Sequence, residues 1–248
     1  MIVLEGVTKR FDSVVAIDDL SCHFKRGQTH ILLGSSGCGK STILRLILGL
    51  EAPDDGSVQV DGRLMSPETR TELVAKMGYV VQEGGLYPHL TVRRNVALAA
   101  EARRWSRERI SDRLRDLVQL VGFDDRIMQK YPNEMSGGQR QRVGLMRSLM
   151  LDPAILLLDE PLGSLDPLVR NGLQRQLKEI FRELKKTVVL VTHDIREAAI
   201  LGETISLMTE GRMVQHGTFL DLATRPSSEF VTSFLRAQKL PAEIQDYF

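Results

Sequence analysis

An α/β fold built on a mostly parallel sheet is what this 248-residue sequence predicts, and three observations carry the prediction. The apolar run Thr29 to Leu33 leads directly into Gly34-Ser35-Ser36-Gly37-Cys38-Gly39-Lys40-Ser41-Thr42, and a helical apolar face follows at Ile43, Leu44, Ile47 and Leu48. Two further apolar runs, Ile155 to Leu158 and Thr187 to Thr192, read as strands buried on both faces, and the first ends in Asp159-Glu160-Pro161. Ligands bind at that carboxyl edge in open α/β sheets. Finally, 248 residues with 42% hydrophobic and 26% charged side chains suit one large domain with room for a subdomain.

The glycine-rich stretch fits GxxxxGK[ST], the pattern of a phosphate-binding P-loop. Its glycines allow the tight turn that points successive N–H groups at phosphate oxygens, and the helix opening near Lys40 adds the positive end of its dipole. In that pattern Lys40 reaches the β- and γ-phosphates, and the Ser41 hydroxyl coordinates Mg²⁺, a hard cation that takes oxygen ligands and keeps several waters. The candidate nucleotide-binding residues are therefore Gly34, Ser35, Ser36, Gly37, Cys38, Gly39, Lys40, Ser41 and Thr42. Asp159, at the end of an apolar strand, can hold the metal through water. Glu160, one residue on, can orient or deprotonate an attacking water. His193 ends the strand from Thr187; taken alone it is as readily a hydrogen-bonded structural histidine as a catalytic one.

With 33 basic against 32 acidic residues the net charge is +1, which implies no overall pull toward nucleic acid or an anionic membrane. Two cysteines, Cys22 and Cys38, one of them inside the P-loop, make no disulfide framework and fit a reducing cytoplasm. No apolar run approaches the roughly 18 residues of a membrane span. Met1 to Phe11 alternates like a strand, carries Glu5, Lys9 and Arg10, and does not read as a signal peptide.

Taken in order, Ile2 to Thr8 and Val14 to Phe24 alternate like strands and are expected to form a small antiparallel sheet beside the P-loop strand. Ser57 to Val60, Asp61-Gly62 and Arg63 to Met65 read as a hairpin, because Asp-Gly supplies the positive φ angles of a primed turn. Gly78 to Val81 reads as a strand ending at Gln82, and Glu83 to Thr91 as a loop. From Val92 to Leu151 the pattern is helical: Ser106 caps a helix with its apolar face at Ile110, Leu114, Leu117, Val118 and Val121, closed by Gly122. Its arginines (Arg103, Arg104, Arg107, Arg109, Arg113, Arg115) alternate with Glu101, Glu108, Asp112 and Asp116, which favours a solvated face over a nucleic-acid surface. A second helix is expected after Gly138, carrying Val143, Met146, Leu149 and Met150. Asp166-Pro167 is a helix start. Beyond the Thr187 strand come a short helix to Leu201, a strand at Thr204 to Met208, a turn at Glu210-Gly211, a strand to Gly217 and a helical tail.

Met135-Ser136-Gly137-Gly138-Gln139, followed by Gln141-Arg142, resembles the signature sequence of ATP-binding cassette (ABC) ATPases, at that family's spacing from Asp159. Gln82 resembles the family's glutamine loop, Gly163-Ser164-Leu165-Asp166 its aspartate loop, His193 its switch histidine and Phe11 its adenine-stacking aromatic. The resemblance spans Ile2 to Gly217, with Met135 where leucine is commoner. It implies a P-loop NTPase core with a mostly parallel sheet, an N-terminal antiparallel β subdomain and an inserted α-helical subdomain: residues 1–248 as one ABC ATPase domain, 92–151 as the insert and 218–248 as a short helical tail. It further implies that Glu160, His193 and Gln82 are catalytic and that Ser41, Gln82 and Asp159 serve Mg²⁺. Ser136, Gly137, Gly138, Gln139 and Asp166 would meet the ATP held by a second copy of the chain, at a helix N-terminus suited to phosphate.

A soluble cassette protein of translation or DNA repair would show two cassettes or a coiled-coil insert, and a P-loop kinase or GTPase has no use for Ser136-Gly137-Gly138. The resemblance therefore favours an importer subunit at the cytoplasmic face of the membrane, working with transmembrane permease subunits and an extracytoplasmic solute-binding protein and with no nucleic acid. The stretch Gln82 to Val92, Tyr131-Pro132, Asp194-Ile195-Arg196-Glu197-Ala198 and Leu201-Gly202 is similar to cassettes of osmoprotectant uptake for glycine betaine, choline or carnitine. Polar amino acid importers and stand-alone exporters remain the alternatives. A regulatory domain after the core is not expected before Phe248.

Overall fold

The computed structural model of the chain describes residues 1–82, 85–163, 165 and 167–237. They fall into two compact units, Met1–Ala75 with the chain from Lys185 onward, and Lys76–Leu184.

In the first unit, β1 (Ile2–Phe11) and β2 (Val14–Phe24) are followed by β3 (Thr29–Gly34), α1 (Lys40–Ile47), β4 (Asp55–Val60), β5 (Arg63–Leu64) and α2 (Pro67–Val74). The expected antiparallel sheet forms in the order β2-β1-β4-β5. Ile2, Leu4, Val7, Ile17, Leu20, Phe24, Val58 and Val60 are its buried apolar residues, with Thr8 buried beside them, and the irregular β1–β2 pairing after Leu4 breaks the strict alternation of a sheet with one wet face. Asp61 (φ 52°) and Gly62 (φ 72°) make the primed turn between β4 and β5. Helix α2 has no counterpart in the sequence reading, because only Leu73 of its residues is buried and no apolar period marks it. Its start is nevertheless written in Ser66-Pro67: the Ser66 backbone N–H donates to Thr69 Oγ1 at 3.0 Å in a capping box, with proline in the first turn.

The second unit holds β6 (Met77–Val80), α3 (Val92–Ala102), α4 (Arg107–Leu120), α5 (Gly137–Leu149), β7 (Ile155–Asp159) and α6 (Pro167–Leu184). β6 lies parallel to β7, with Tyr79 opposite Leu157. Ser106 caps α4, its Oγ accepting the Arg109 N–H at 3.2 Å, and Ile110, Leu114, Leu117 and Val118 are buried as their spacing predicts. Three arginines of α4 make contacts within the chain: the Arg109 guanidinium lies 3.6 Å from the Trp105 ring centroid, Arg115 pairs with Asp112, and Arg113 donates to Leu149 O at 2.8 Å. Helix α5 begins at Gly137 and not after Gly138, because Ser136 supplies the cap.

The chain returns to the first unit with β8 (Thr187–Thr192), α7 (Ile195–Leu201), β9 (Thr204–Thr209), β10 (Arg212–Gly217), α8 (Phe219–Thr224) and α9 (Glu229–Ala237). β3 is parallel to both β8 and β9, and β10 closes the edge antiparallel to β9. Every residue of β3 and β8 is buried, as unbroken apolar runs flanked on both faces should be. His30 fits this core as a neutral ring, with Thr204 Oγ1 at 2.6 Å and Lys25 O at 2.9 Å, and burial lowers its pKa. The register Leu33 opposite Thr192 brings the end of the P-loop strand and His193 to one sheet edge. Among the described residues no helix is long and apolar enough to cross a membrane.

Candidate functional site

The loop from Gly34 to Lys40 shows why its glycines are there. A Cβ on Gly34 would sit 2.4 Å from Met208 O and 2.7 Å from Cys38 Sγ, and one on Gly39 2.4 Å from Ala16 O. Gly37 (φ 81°) and Gly39 (φ 102°) take left-handed angles that other residues resist. Ser35, Ser36 and Gly37 form an exposed crest. Lys40 is 4% exposed, and its ammonium donates to Gly34 O at 2.9 Å and Ser35 O at 2.8 Å, so the charge is held at the loop's centre. No side chain caps the N-terminus of α1. Gly39, which has no side chain, stands at the N-cap, so the positive end of the α1 dipole faces the loop. Burial raises the pKa of the Cys38 thiol against the opposing charge of Lys40, so Cys38 stays protonated and contributes shape and backbone.

Phe11, the last residue of β1, is 37% exposed with the Lys9 ammonium 5.3 Å from its ring centroid, and so presents an aromatic surface. His193 is exposed in the turn between β8 and α7. The P-loop, Phe11 and His193 thus belong to the first unit.

The second unit carries Gln82, Asp159, Glu160 and Ser136 to Gln139. Gln82 is exposed two residues past β6. Asp159 closes β7, and the Tyr79 hydroxyl lies 3.4 Å from its Oδ2, a long hydrogen bond across the β6–β7 pair. Glu160 has φ 43°, a left-handed angle uncommon for a residue with a side chain, and its carbonyl accepts the Gly163 N–H at 3.2 Å. Ser136 is exposed: its Oγ accepts the Gln139 N–H at 3.3 Å and its own N–H donates to Gln139 Oε1 at 3.0 Å. Gly138 is needed for contact, since a Cβ there would come within 2.6 Å of Val169 Cγ1. Asp166 and Ser164 of the aspartate loop, Glu83 and Gly84 beside Gln82, and the tail from residue 238 lie outside the described residues.

Ser41 in the first unit, and Asp159 and Gln82 in the second, each carry a side-chain oxygen, the ligand type that a small hard divalent cation takes.

One residue absent from the sequence reading is Asn95. It is fully buried in α3, donates from Nδ2 to Tyr87 O (3.1 Å), Leu90 O (2.9 Å) and Thr91 O (3.2 Å), and accepts the Tyr87 N–H at 2.8 Å. A polar residue between Val92 and Val96 on an apolar face was the available signal. Asn95→Ala removes the side-chain partners of the Tyr87 N–H and Leu90 O, while Tyr87 O keeps the Leu90 N–H and Thr91 O keeps the backbone N–H of residue 95, at a cost of about 1–3 kcal/mol. The expected result is a lower thermal midpoint with faster amide exchange at residues 87–91; unchanged exchange there would contradict the pinning role.

The strand, glycine loop, uncapped helix and carboxylate-ended β7 define a P-loop nucleotide-binding α/β protein. This chain belongs to the ABC transporter family, whose sequence model matches residues 17–163. It is 42% identical over 240 residues to the glycine betaine uptake system ATP-binding protein YehX of Escherichia coli, covering 97% of this chain and 78% of that protein. It is 37% identical over 241 residues to the glycine betaine/carnitine/choline transport ATP-binding protein OpuCA of Bacillus subtilis, of which it spans 63% of the length. The sulfate/thiosulfate import ATP-binding protein CysA of Nocardia farcinica is 42% identical over 238 residues, 95% of this chain and 70% of that one. Among solved structures, a dimeric ATP-binding cassette in a post-hydrolysis state with ADP and Pi is similar at TM-score 0.79 and 32% identity, over 88% of this chain and 99% of that chain. The cassette cbiO1 from Clostridium perfringens is similar at 0.83 and 26%, over 91% of each.

Proposed function

We propose that this chain is the ATP-hydrolysing subunit of an importer whose solute is a quaternary-amine osmoprotectant such as glycine betaine or choline. The observation that carries the ATPase reading is the loop at residues 34–42. An uncapped helix N-terminus, glycines at left-handed angles and an ammonium at the loop's centre together suit a polyphosphate. Gly34 to Thr42 cradle the phosphates and Phe11 stacks on adenine. Ser41, Asp159 and Gln82 would hold Mg²⁺, which would supply positive charge against the phosphates when bound. Glu160 orients the attacking water, while Gln82 and His193 meet the γ-phosphate.

Ser136 to Gln139, with Asp166, close over ATP held by a second copy, so the nucleotide glues a homodimer together. Residues 92–151 act as the helical subdomain presenting this motif, and residues 218–248 as a tail. Permease subunits and an extracytoplasmic binding protein complete the system, with the chain on the cytoplasmic face of the membrane. The solute reading is supported by the relatives named for glycine betaine, choline and carnitine. The equally identical sulfate/thiosulfate relative favours a second reading, oxyanion import.

Docking to the permease falls on the segment that Asn95 holds. Tyr87 is 46% and Leu98 39% exposed, and Pro88 is exposed beside half-buried Leu86 and Leu90, an apolar surface of the kind that marks interaction sites. Leu86→Glu or Tyr87→Glu is expected to leave ATP binding intact and to abolish both co-purification with the permease and uptake of labelled glycine betaine. Variants that bind and transport like the parent would move the docking surface elsewhere. A parent that imports sulfate and no quaternary amine would overturn the solute and leave the ATPase reading standing.

A further inference from the structure

The geometry points to Glu197 as the positioning residue for His193, an inference that rests on reading His193 as the contact to the γ-phosphate. Glu197 lies in α7 and is 1% exposed, where a carboxylate destabilises the fold unless it is hydrogen-bonded. The Thr192 hydroxyl, itself in a residue 2% exposed, donates to Glu197 Oε2 at 2.6 Å. The same hydroxyl oxygen accepts the Asp194 N–H at 3.1 Å. A hydroxyl has one proton, so directing it at Glu197 turns the oxygen's lone pairs toward Asp194. Asp194 in turn caps α7, its Oδ1 accepting the Arg196 N–H at 2.8 Å.

The residues on either side of His193 are therefore tied to each other through one buried oxygen, and that oxygen is aimed by the carboxylate in α7. His193 itself is exposed. The register of β8 against β3 sets this turn at the same sheet edge as Gly34, where the P-loop begins. An apolar side chain would fill the buried face of α7 without a desolvation cost. By accepting the Thr192 hydroxyl, the Glu197 carboxylate holds the turn, and with it the imidazole, in one orientation toward the phosphate. Contacts to a transferring phosphate depend on such preorganisation, and displacements of about 1 Å cost up to about a hundredfold in rate.

The test is steady-state ATP hydrolysis by the purified full chain, with nucleotide binding and thermal midpoint measured on each variant. Glu197→Ala and Thr192→Val are expected to lose about tenfold to a hundredfold in kcat while KM for ATP stays within about twofold. Glu197→Gln retains an acceptor and Thr192→Ser retains the hydroxyl, and both are expected to keep kcat. The double variant Glu197→Ala/His193→Ala is expected to be no slower than His193→Ala, because both changes remove one device. A multiplicative double variant, or a loss appearing in KM and thermal midpoint alone, would make Glu197 merely structural and overturn the inference. Should Glu197→Ala fail to fold, Thr192→Val against Thr192→Ser decides the matter. Slow His193→Ala beside fully active Glu197→Ala would sink this inference alone; His193→Ala as fast as the parent would sink the reading of His193 and this inference with it.

Discussion

Glu160→Gln is expected to bind ATP and Mg²⁺ like the parent chain and to hydrolyse it at least about a hundredfold more slowly, the scale of a lost general base. The substitution keeps size and hydrogen-bonding reach and removes only the basic oxygen. That selectivity matters because Glu160 sits at φ 43° with its carbonyl engaged by Gly163 N–H at 3.2 Å, and a larger change would disturb the turn itself. A left-handed non-glycine residue costs about 1–3 kcal/mol, and such strain concentrates at functional sites, where it aims a side chain. Lys40→Ala is expected to fail differently, weakening nucleotide binding directly, because the ammonium centred between Gly34 O and Ser35 O is lost. Phosphate release and equilibrium binding measured on both variants separate the two roles. Near-parental hydrolysis by Glu160→Gln would contradict the assignment of Glu160.

With turnover blocked, the ATP-bound form accumulates and its assembly becomes measurable. Glu160→Gln with ATP and Mg²⁺ is expected to sediment as a dimer, and adding Ser136→Arg to return it fully to monomer. Ser136 is exposed at the start of α5, and under the proposed two-chain site an arginine there would put a long side chain where the partner's γ-phosphate would lie. The substitution also removes the cap oxygen that accepts the Gln139 N–H, at a cost of about 1 kcal/mol. The thermal midpoint of the double variant therefore has to stay close to that of Glu160→Gln for the comparison to hold. A dimer that persists with arginine at this position would place the shared nucleotide elsewhere.

The strands and the phosphate loop were legible because their signals are local. An unbroken apolar run, an Asp-Gly turn and a glycine loop before a helical period each state a backbone conformation within a few residues, and β3, β5, β7 and β8 follow them. What escaped was whatever depends on a remote partner or on no apolar pattern. Tyr79 meets Asp159 only once β6 is registered against β7. The contact need at Gly138 appears only with Val169 in place. Asn95 and Glu197 are polar residues on otherwise apolar helix faces, and a period analysis discounts them although Asn95 donates to Leu90 O and Glu197 accepts the Thr192 hydroxyl. Helix α2, with Leu73 as its single buried residue, has no period to find; its cap at Ser66-Pro67 was the readable sign.

The claim that a site is completed by two chains is tested most directly by the specific ATPase activity of the parent chain as a function of its own concentration. If Ser136 to Gln139 of one copy close over the ATP held by the P-loop of another, specific activity rises with protein concentration below the dimer dissociation constant and then saturates, and Ser136→Arg flattens the curve near zero. Specific activity that is constant across the whole range, and indifferent to Ser136→Arg, would contradict the account.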